Sequence, residues 1–182
     1  MEVLIKIEND RSHGNPVRRA GRLAVVTSFV PDDFDPPAGL DLPGMRLEPL
    51  GPEHNERDHD AWSSSVEHIH ATPGFRDEDT DGDPGESWPR PMTLEENLGD
   101  LQGHAADFAA RRGFTYSVVD PATGEVIGCL YIYPSKDEDH DARVASWVRV
   151  SRAELDQDLR HAVGDWLAAD WPFTNVDYAS RA

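Results

Sequence analysis

The stretch Phe114–Ser135, FTYSVVDPATGEVIGCLYIYPS, decides the fold of this chain. Two runs rich in aromatic and β-branched residues flank Asp120-Pro121-Ala122-Thr123-Gly124, whose composition is typical of a tight turn. A short turn between two such runs predicts a hairpin of adjacent antiparallel strands. A sheet therefore lies at the centre of the protein.

The residues that follow the hairpin predict a strand, a helix and a short last strand. Residues 142–150 form a third β-rich run, in which Val144, Val148 and Val150 share one face. A helix with an apolar face comes next, and the run NVDYA closes the pattern. The helical face is made of Leu155, Leu159, Ala162, Val163 and Trp166, and we expect it to pack on the sheet.

The residues before the hairpin predict one strand and two helices. MRLEPL, from Met45, alternates apolar and polar positions as a strand does, and Trp62, Val66 and Ile69 recur at helical spacing. A second helix begins at a Thr93–Glu96 capping box and ends in a basic turn closed by Gly113. The apolar stripe of this helix is Leu94, Leu98, Leu101, Ala105 and Phe108.

The first part of the chain has a different composition from the rest. Residues 31–44, PDDFDPPAGLDLPG, are crowded with Pro, Gly and Asp. The sequence therefore predicts an irregular N-terminal arm over residues 1–44 and one α+β domain over residues 45–182. A chain of 182 residues is long enough for one domain with a sizeable core.

Composition excludes several classes of function. Lys and Arg number 17 against 35 Asp and Glu, and the net charge of −18 repels nucleic-acid backbones. No run approaches the ~20 apolar residues of a membrane span, and the first residues match no targeting signal. Cys129 is the single cysteine, so an intrachain disulfide is excluded. These features predict a cytoplasmic protein that binds neither nucleic acid nor membrane.

The order of elements resembles that of the GNAT superfamily of acyl-CoA-dependent N-acetyltransferases. The resemblance covers roughly residues 45–178 and is carried by the hairpin, the strand SWVRV and the helix DLRHAVGDWLAADW. It implies a GNAT fold, in which a mixed, mainly antiparallel sheet is flanked by helices. It also implies transfer of an acetyl group from acetyl-CoA to a small amine.

The resemblance also suggests where acetyl-CoA binds. The strand that corresponds to SWVRV offers backbone groups to the pantetheine arm in the family, which points to Val148, Arg149 and Val150, with Arg152 in the following loop. Family members carry a glycine-rich pyrophosphate loop there, and often a tyrosine that protonates the leaving thiolate. Tyr178 is the candidate for that tyrosine, with Tyr131 and Tyr133 as alternatives.

The loop SRAELDQDL departs from the family pattern. It lacks glycine, and Ser151 and Glu154 have capping-box spacing, which would occupy the N–H groups that a phosphate needs. The alternative function is therefore a GNAT-fold protein without CoA binding that serves as a binding or regulatory module.

An acidic loop lies between the two predicted N-terminal helices. DEDTDG, Asp77–Gly82, matches the start of a calcium loop, but Trp88 stands where the bidentate Glu belongs, which favours a solvated loop. Asp77, Glu78, Asp79 and Trp88 are candidates for attracting a cationic amine.

The histidines and Cys129 are residue types that can bind a metal or act as a nucleophile. The four histidines between residues 54 and 70 lack metal-site spacing and are interpreted as solvated, so no metal is predicted. Cys129, inside an apolar run, is interpreted as a buried hydrophobe. An exposed edge strand would permit a homodimer.

Overall fold

A computed structural model describes residues 28–75 and 88–181 and shows one six-stranded sheet. The strands lie in chain order from β1 to β6, and neighbouring pairs are antiparallel except β5 and β6, which are parallel. The mixed, mainly antiparallel α+β sheet is thus confirmed. The strands are β1 Leu40–Leu42, β2 Met45–Pro49, β3 Phe114–Val119, β4 Val126–Pro134, β5 Ala142–Val148 and β6 Val176–Tyr178.

In residues 28–75 and 88–181, four α-helices pack on the two sides of this sheet. Their bounds are α1 Asn55–Ser63, α2 Val66–Ala71, α3 Leu94–Ala109 and α4 Asp156–Asp170. Alternate residues of each strand point to opposite sides, so the same strands contribute to two separate apolar clusters.

The first cluster lies under α4, and we call this side the α4 face. Leu159, Val163 and Trp166 of α4 pack there against strand residues such as Tyr116 and Leu130. The predicted packing of this helix on the sheet is confirmed. The second cluster joins Trp62 of α1, Ile69 of α2 and Leu101 of α3 to Cys129 and Trp147 of the sheet, and we call this side the pocket face.

The hairpin of β3 and β4 forms as the sequence predicts. Asp120 closes its turn by accepting a hydrogen bond at Oδ1 from the Ala122 N–H, at 2.8 Å. Gly128 of β4 is required by a close approach, because a Cβ atom there would lie 2.2 Å from the carbonyl oxygen of Trp147 on β5. Strands β4 and β5 therefore approach each other closely at the end of β5.

The region around Trp62, Val66 and Ile69 forms two helices instead of the one predicted. Ser65 has φ −136° and ψ 15°, outside the helical range, and its Oγ accepts a hydrogen bond from the Val150 N–H at 3.1 Å. Ser64 Oγ also donates back to the Ala61 carbonyl, at 3.0 Å. Serine side chains compete in this way with the helical backbone, which explains the break.

Helix α3 confirms its predicted start but ends earlier than predicted. Thr93 Oγ1 accepts from the Glu96 N–H at 3.2 Å, and Glu96 Oε2 accepts from the Thr93 N–H at 2.7 Å. The helix ends at Ala109, and Arg111, with φ 59°, takes the left-handed conformation. Gly113 is needed for another reason, because a Cβ atom there would lie 2.2 Å from the ring of Tyr133.

Residues 28–44 contribute to the folded unit. Strand β1 pairs with β2, and Val30 is 1 % exposed in the cluster of the α4 face. The predicted domain boundary at residue 45 stays a prediction, as does a homodimer through an outer strand. None of the helices in residues 28–75 and 88–181 is both long enough and apolar enough to cross a bilayer.

Candidate functional site

A cavity of about 1060 Å³ opens on the pocket face. It lies between α1 and α3 on one side and β4 and β5 on the other, so both helices and sheet contribute side chains. Its lining includes Asp58, Phe75, Trp88, Asn97, His104 and Tyr131. We call this cavity the acidic pocket.

Asp58 of α1 is a buried carboxylate in the pocket wall. It is only 5 % exposed, and its Oδ2 accepts a hydrogen bond from Asn97 Nδ2 at 3.1 Å. Burial raises the pKa of Asp58 from 3.8 to about 6, and the hydrogen bond from Asn97 opposes the shift only in part. The carboxylate is therefore mostly ionised at neutral pH, in surroundings that contain little water to stabilise it.

Asn97 fixes the position of Asp58. Its Oδ1 accepts from the Trp62 Nε1–H at 2.9 Å, and its Nδ2 also donates to Asn55 Oδ1 at 3.0 Å. The Thr93–Glu96 capping box sets the first turn of α3 and thereby places Asn97 against α1. The amide is satisfied on both sides, so the carboxylate is held in one orientation.

Aromatic rings form a second wall of the pocket. The ring centroid of Trp88 lies 5.9 Å from that of Phe75, 6.1 Å from that of Tyr131 and 5.9 Å from that of Trp147. Such a cluster excludes water and offers ring faces to a cation.

His104 of α3 adds a titratable group. Its Nδ1 lies 2.8 Å from the hydroxyl of Tyr133 and 3.1 Å from that of Thr115. Burial lowers the pKa of His104 below its ordinary value of 6.5. The imidazole is therefore neutral at pH 7 and able to accept a proton.

The edge of β5 lies beside this pocket. Strand β6 pairs with β5 through three residues only, of which Val144 and Tyr178 are the last pair. N–H and C=O groups of alternate residues face the same edge of a strand, so those of Ser146 and Val148 face the β6 side, beyond the end of the ladder. This geometry fits the backbone role that the resemblance suggests for Val148.

The residues after Val148 do not form the predicted cap. Residues Val150–Leu155 make a 3₁₀ turn, and α4 begins only at Asp156, with no side-chain cap on either element. The Ser151–Glu154 capping box is therefore wrong. Val150 is 52 % exposed and does not share the buried face of Val144 and Val148 as predicted, because the strand ends at Val148.

The two arginines predicted to contact the cofactor bind carboxylates of this chain. Arg149 donates to Asp60 Oδ2 and to Ser64 Oγ, each at 3.1 Å. Arg152 forms an ion pair with Asp120 in the hairpin turn. A bound pyrophosphate would share these guanidinium groups with carboxylates that are already in contact.

Tyr178 does not line the acidic pocket. Its hydroxyl lies 2.5 Å from Ser146 Oγ, and the Arg160 guanidinium carbon lies 4.1 Å from the centre of its ring. Burial raises the pKa of Tyr178 to about 12. Tyr131 and Tyr133, the alternatives, do line the pocket. The catalytic role suggested for Tyr178 stays a prediction.

The residues on either side of the acidic loop line the pocket. Asp77 and Asp79 lie outside the described residues, whereas Phe75 and Trp88, on either side of residues 76–87, both line the pocket. Trp88 is thus placed where the sequence suggests a substrate contact. Its role in binding stays a prediction.

Sequence reasoning missed Asp58, Asn97 and His104. A weak signal exists, because Asp58 lies four residues before Trp62, and Asn97 lies four residues before Leu101 on a helical stripe. A polar residue at a position that faces the core indicates a buried polar contact. The histidines were also misread in part, since His54 is 2 % exposed and accepts a hydrogen bond from the Gly51 N–H at 3.1 Å.

Three solved structures that superpose on this chain are acetyltransferases. The ribosomal-protein-S5-alanine acetyltransferase of Vibrio fischeri superposes with a TM-score of 0.53 at 14% identity, over 72% of this chain and 67% of that chain. The Microcin C7 self immunity acetyltransferase MccE, in complex with acetyl-CoA and AMP, gives 0.53 at 9% identity, over 72% and 66%. RimL, a ribosomal L7/L12 alpha-N-protein acetyltransferase in complex with coenzyme A, gives 0.50 at 15% identity, over 74% and 68%.

These likenesses show that the chain has the GNAT fold. The chain spans about two thirds of the length of each of these neighbours. No protein-family profile matches the sequence, and the curated proteins contain no significant match.

Proposed function

We propose that this protein is an acetyl-CoA-dependent N-acetyltransferase whose acceptor is a small cationic amine bound in the acidic pocket. The observation that carries the proposal is a buried carboxylate, Asp58, in the wall of a large cavity next to the edge of β5 beyond its pairing with β6. The GNAT fold supports acetyl transfer as the reaction class, because solved neighbours with this fold are acetyltransferases.

The charges around the pocket support a cationic acceptor. The described lining residues include four carboxylates but only two Lys or Arg side chains. The carboxylates are Asp58, Asp100, Asp137 and Asp177, and the basic side chains are Lys136 and Arg143. The excess of negative charge attracts an ammonium, and the net charge of −18 acts in the same direction at long range. Asp77 and Asp79 would add to this field.

The aromatic wall supports a small acceptor with an apolar part. Trp88, Phe75 and Tyr131 offer ring faces and edges within about 6 Å of each other. A cation over such rings is stabilised by roughly 0.5–2 kcal/mol. The carboxylate therefore holds the ammonium, and the rings hold the carbon skeleton attached to it.

Asp58 is the group that we assign to proton removal. An alkylammonium has a pKa of about 10, so its nitrogen must lose a proton before it can attack a carbonyl carbon. A carboxylate with a pKa of about 6 both binds the ammonium and accepts the proton. Neutral His104 is a second acceptor in the same pocket.

Several features of β5 fit acetyl-CoA, which when bound supplies the acetyl group as a thioester. The unpaired edge beyond Val144 offers backbone groups, including those of Val148. Arg149, Val150 and Arg152 lie at the start of the 3₁₀ turn, where they would meet the phosphates. The positions of these four residues are consistent with cofactor binding as predicted from the sequence.

The experiment is a titration of the protein with acetyl-CoA in a calorimeter, followed by a thiol-release assay with a panel of primary amines. We expect micromolar binding and faster transfer to diamines and aromatic amines than to neutral or acidic acceptors. Asp58→Asn should lower kcat/KM by roughly 100-fold while leaving acetyl-CoA affinity unchanged. Asp165→Asn, an exposed change in the second half of α4, is the matched control and should have no effect.

Two results would contradict the proposal. If the protein does not bind acetyl-CoA at millimolar concentration, acetyl transfer from this cofactor is contradicted. If cationic and anionic acceptors react at equal rates and Asp58→Asn does not change these rates, the acidic pocket is not the acceptor site.

A further inference from the structure

Arg181 occupies the edge of β5 that strand β6 leaves unpaired. Continuation of the parallel ladder would bring residues 179–181 alongside residues 145–147, but pairing stops at Val144 and Tyr178. The Arg181 side chain instead reaches the strand, and its Nη2 donates to the Ser146 carbonyl oxygen at 2.7 Å. A side chain thus replaces the backbone donor that a neighbouring strand would supply.

The guanidinium of Arg181 joins several separate parts of the fold. Its Nε donates to Asp156 Oδ2 at 2.5 Å, at the first residue of α4, and its Nη1 donates to the Pro73 carbonyl at 3.1 Å. The side chain is 7 % exposed. A long charged side chain reaches this degree of burial only when its donors are satisfied, so the contact is specific.

The position of this contact conflicts with cofactor binding. The β5 edge is where the resemblance places the pantetheine arm, and the start of α4 is where it places the pyrophosphate. Arg181 covers the Ser146 carbonyl on the first and is held by Asp156 at the second. The guanidinium bridges the β5 edge and the start of α4, so a pantetheine arm that runs along this edge would have to displace it.

We propose that the segment 179–181 is an autoinhibitory clamp, in which Arg181 closes the β5 edge and must withdraw before acetyl-CoA binds. The proposal rests on the proposed function, because it concerns access to the same cofactor site.

The anchoring of this segment allows Arg181 to move alone. Arg160 of α4 donates to the carbonyl oxygens of Tyr178 and Ala179, each at 2.9 Å. These bonds hold the base of the segment against α4. Arg181 itself is attached through side-chain bonds, so its release leaves strand β6 and the core intact.

Clamping lowers apparent affinity by a defined amount. When the competent state is a fraction of the population, the apparent Kd rises by the inverse of that fraction. A clamp that is closed about nine-tenths of the time therefore weakens cofactor binding roughly tenfold.

The test is calorimetric titration with coenzyme A of the wild-type protein, Arg181→Ala, Asp156→Asn and Arg112→Ala. We expect Arg181→Ala and Asp156→Asn each to tighten binding by roughly tenfold or more. Arg112→Ala removes an arginine from an exposed ion pair with Asp107 and should match wild type. Asp156→Asn keeps the side-chain shape, so the test remains valid even if Arg181→Ala does not fold.

The outcomes separate the clamp from the proposed function. Equal micromolar affinities in wild type and both clamp variants would overturn the clamp and leave the acetyltransferase proposal standing. Weaker binding by Arg181→Ala would make Arg181 a cofactor contact, and the clamp would again be overturned. Absence of binding by all four proteins at millimolar coenzyme A would overturn both proposals.

Discussion

The two faces of the sheet differ in how they use buried space. On the α4 face, aromatic rings meet edge to face, with centroid distances of 5.4 Å for Tyr116 and Trp166 and 5.5 Å for Trp166 and Trp171. The pocket face instead buries Asp58 and Asn97 and contains a cavity of about 1060 Å³. The packing of the α4 face therefore stabilises the fold, whereas the buried polar groups and the cavity of the pocket face lower its stability and form the candidate site.

Neighbouring residues of one strand illustrate the difference. On β3, Tyr116 packs in the cluster of the α4 face, while Thr115, next to it in sequence, lies 3.1 Å from His104 on the pocket face. The strand alternation thus separates the packing residues from the polar ones without any change in backbone. Substitutions on the two faces should therefore have different consequences.

The largest effect is expected on the α4 face. Trp166→Ala removes a 5 % exposed ring from the middle of the aromatic cluster and should lower the free energy of unfolding by about 3–5 kcal/mol. Urea denaturation, monitored by circular dichroism, measures this loss in the free energy of unfolding.

Trp88→Ala is the matched change on the pocket face. Its ring borders the cavity and is only partly buried, so we expect a smaller loss of roughly 1–2 kcal/mol. Equal losses for both tryptophans would contradict the division of roles between the faces.

A change of intermediate size tests the buried charge on the pocket face. In the unfolded chain Asp58 loses its proton near pH 4, whereas the folded protein retains it up to about pH 6. The folded state binds more protons in this range, so stability falls as pH rises from about 4 to 6 and stays lower above it.

Asp58→Asn should remove this dependence. The stability of the variant relative to wild type should increase by up to about 3 kcal/mol between pH 4 and pH 8. Comparing the two pH values cancels any constant loss from the altered bond to Asn97. Thermal unfolding of both proteins at each pH measures the difference, and a pH-independent difference would show that Asp58 is not desolvated.

The smallest effect concerns the helix that carries Asn97 and His104. Thr93→Ala removes the cap of α3 and should lower the free energy of unfolding by about 1 kcal/mol. Thr93→Ser keeps the hydroxyl, so its free energy of unfolding should stay close to that of the wild type. If both variants unfold like wild type, the first turn of α3 does not depend on its capping box.

Local patterns in the sequence predicted most of the fold. The hairpin, the start of α3 and the apolar face of α4 each depend on residues only a few positions apart, and the structure confirms them. The predictions that failed are the single helix around Ser65, the end of α3, the Ser151–Glu154 cap and the buried face of Val150. The helix break at Ser65 is coupled to Val150, 85 residues away.

The candidate site was much less accessible to sequence reasoning. Asp58 in NERDHD looks like any solvated helix residue, and its burial depends on Asn97, 39 positions later. The resemblance pointed to the edge of β5, but it did not show that Arg149 and Arg152 bind Asp60 and Asp120.

The sequence by itself determined the order of elements from α3 to β6, the hairpin and the acidic character, because turn chemistry, helix capping and strand alternation act over a few residues. Only the tertiary structure decided that Asp58 is the buried carboxylate of the pocket, that the pairing of β5 with β6 ends at Val144, and that Arg181 contacts the edge beyond it. The contact of Arg181 with Ser146 joins residues 35 positions apart, and no local periodicity records it. Such pairings are fixed by how the elements pack, since burial strengthens a charge contact only once the fold has excluded water.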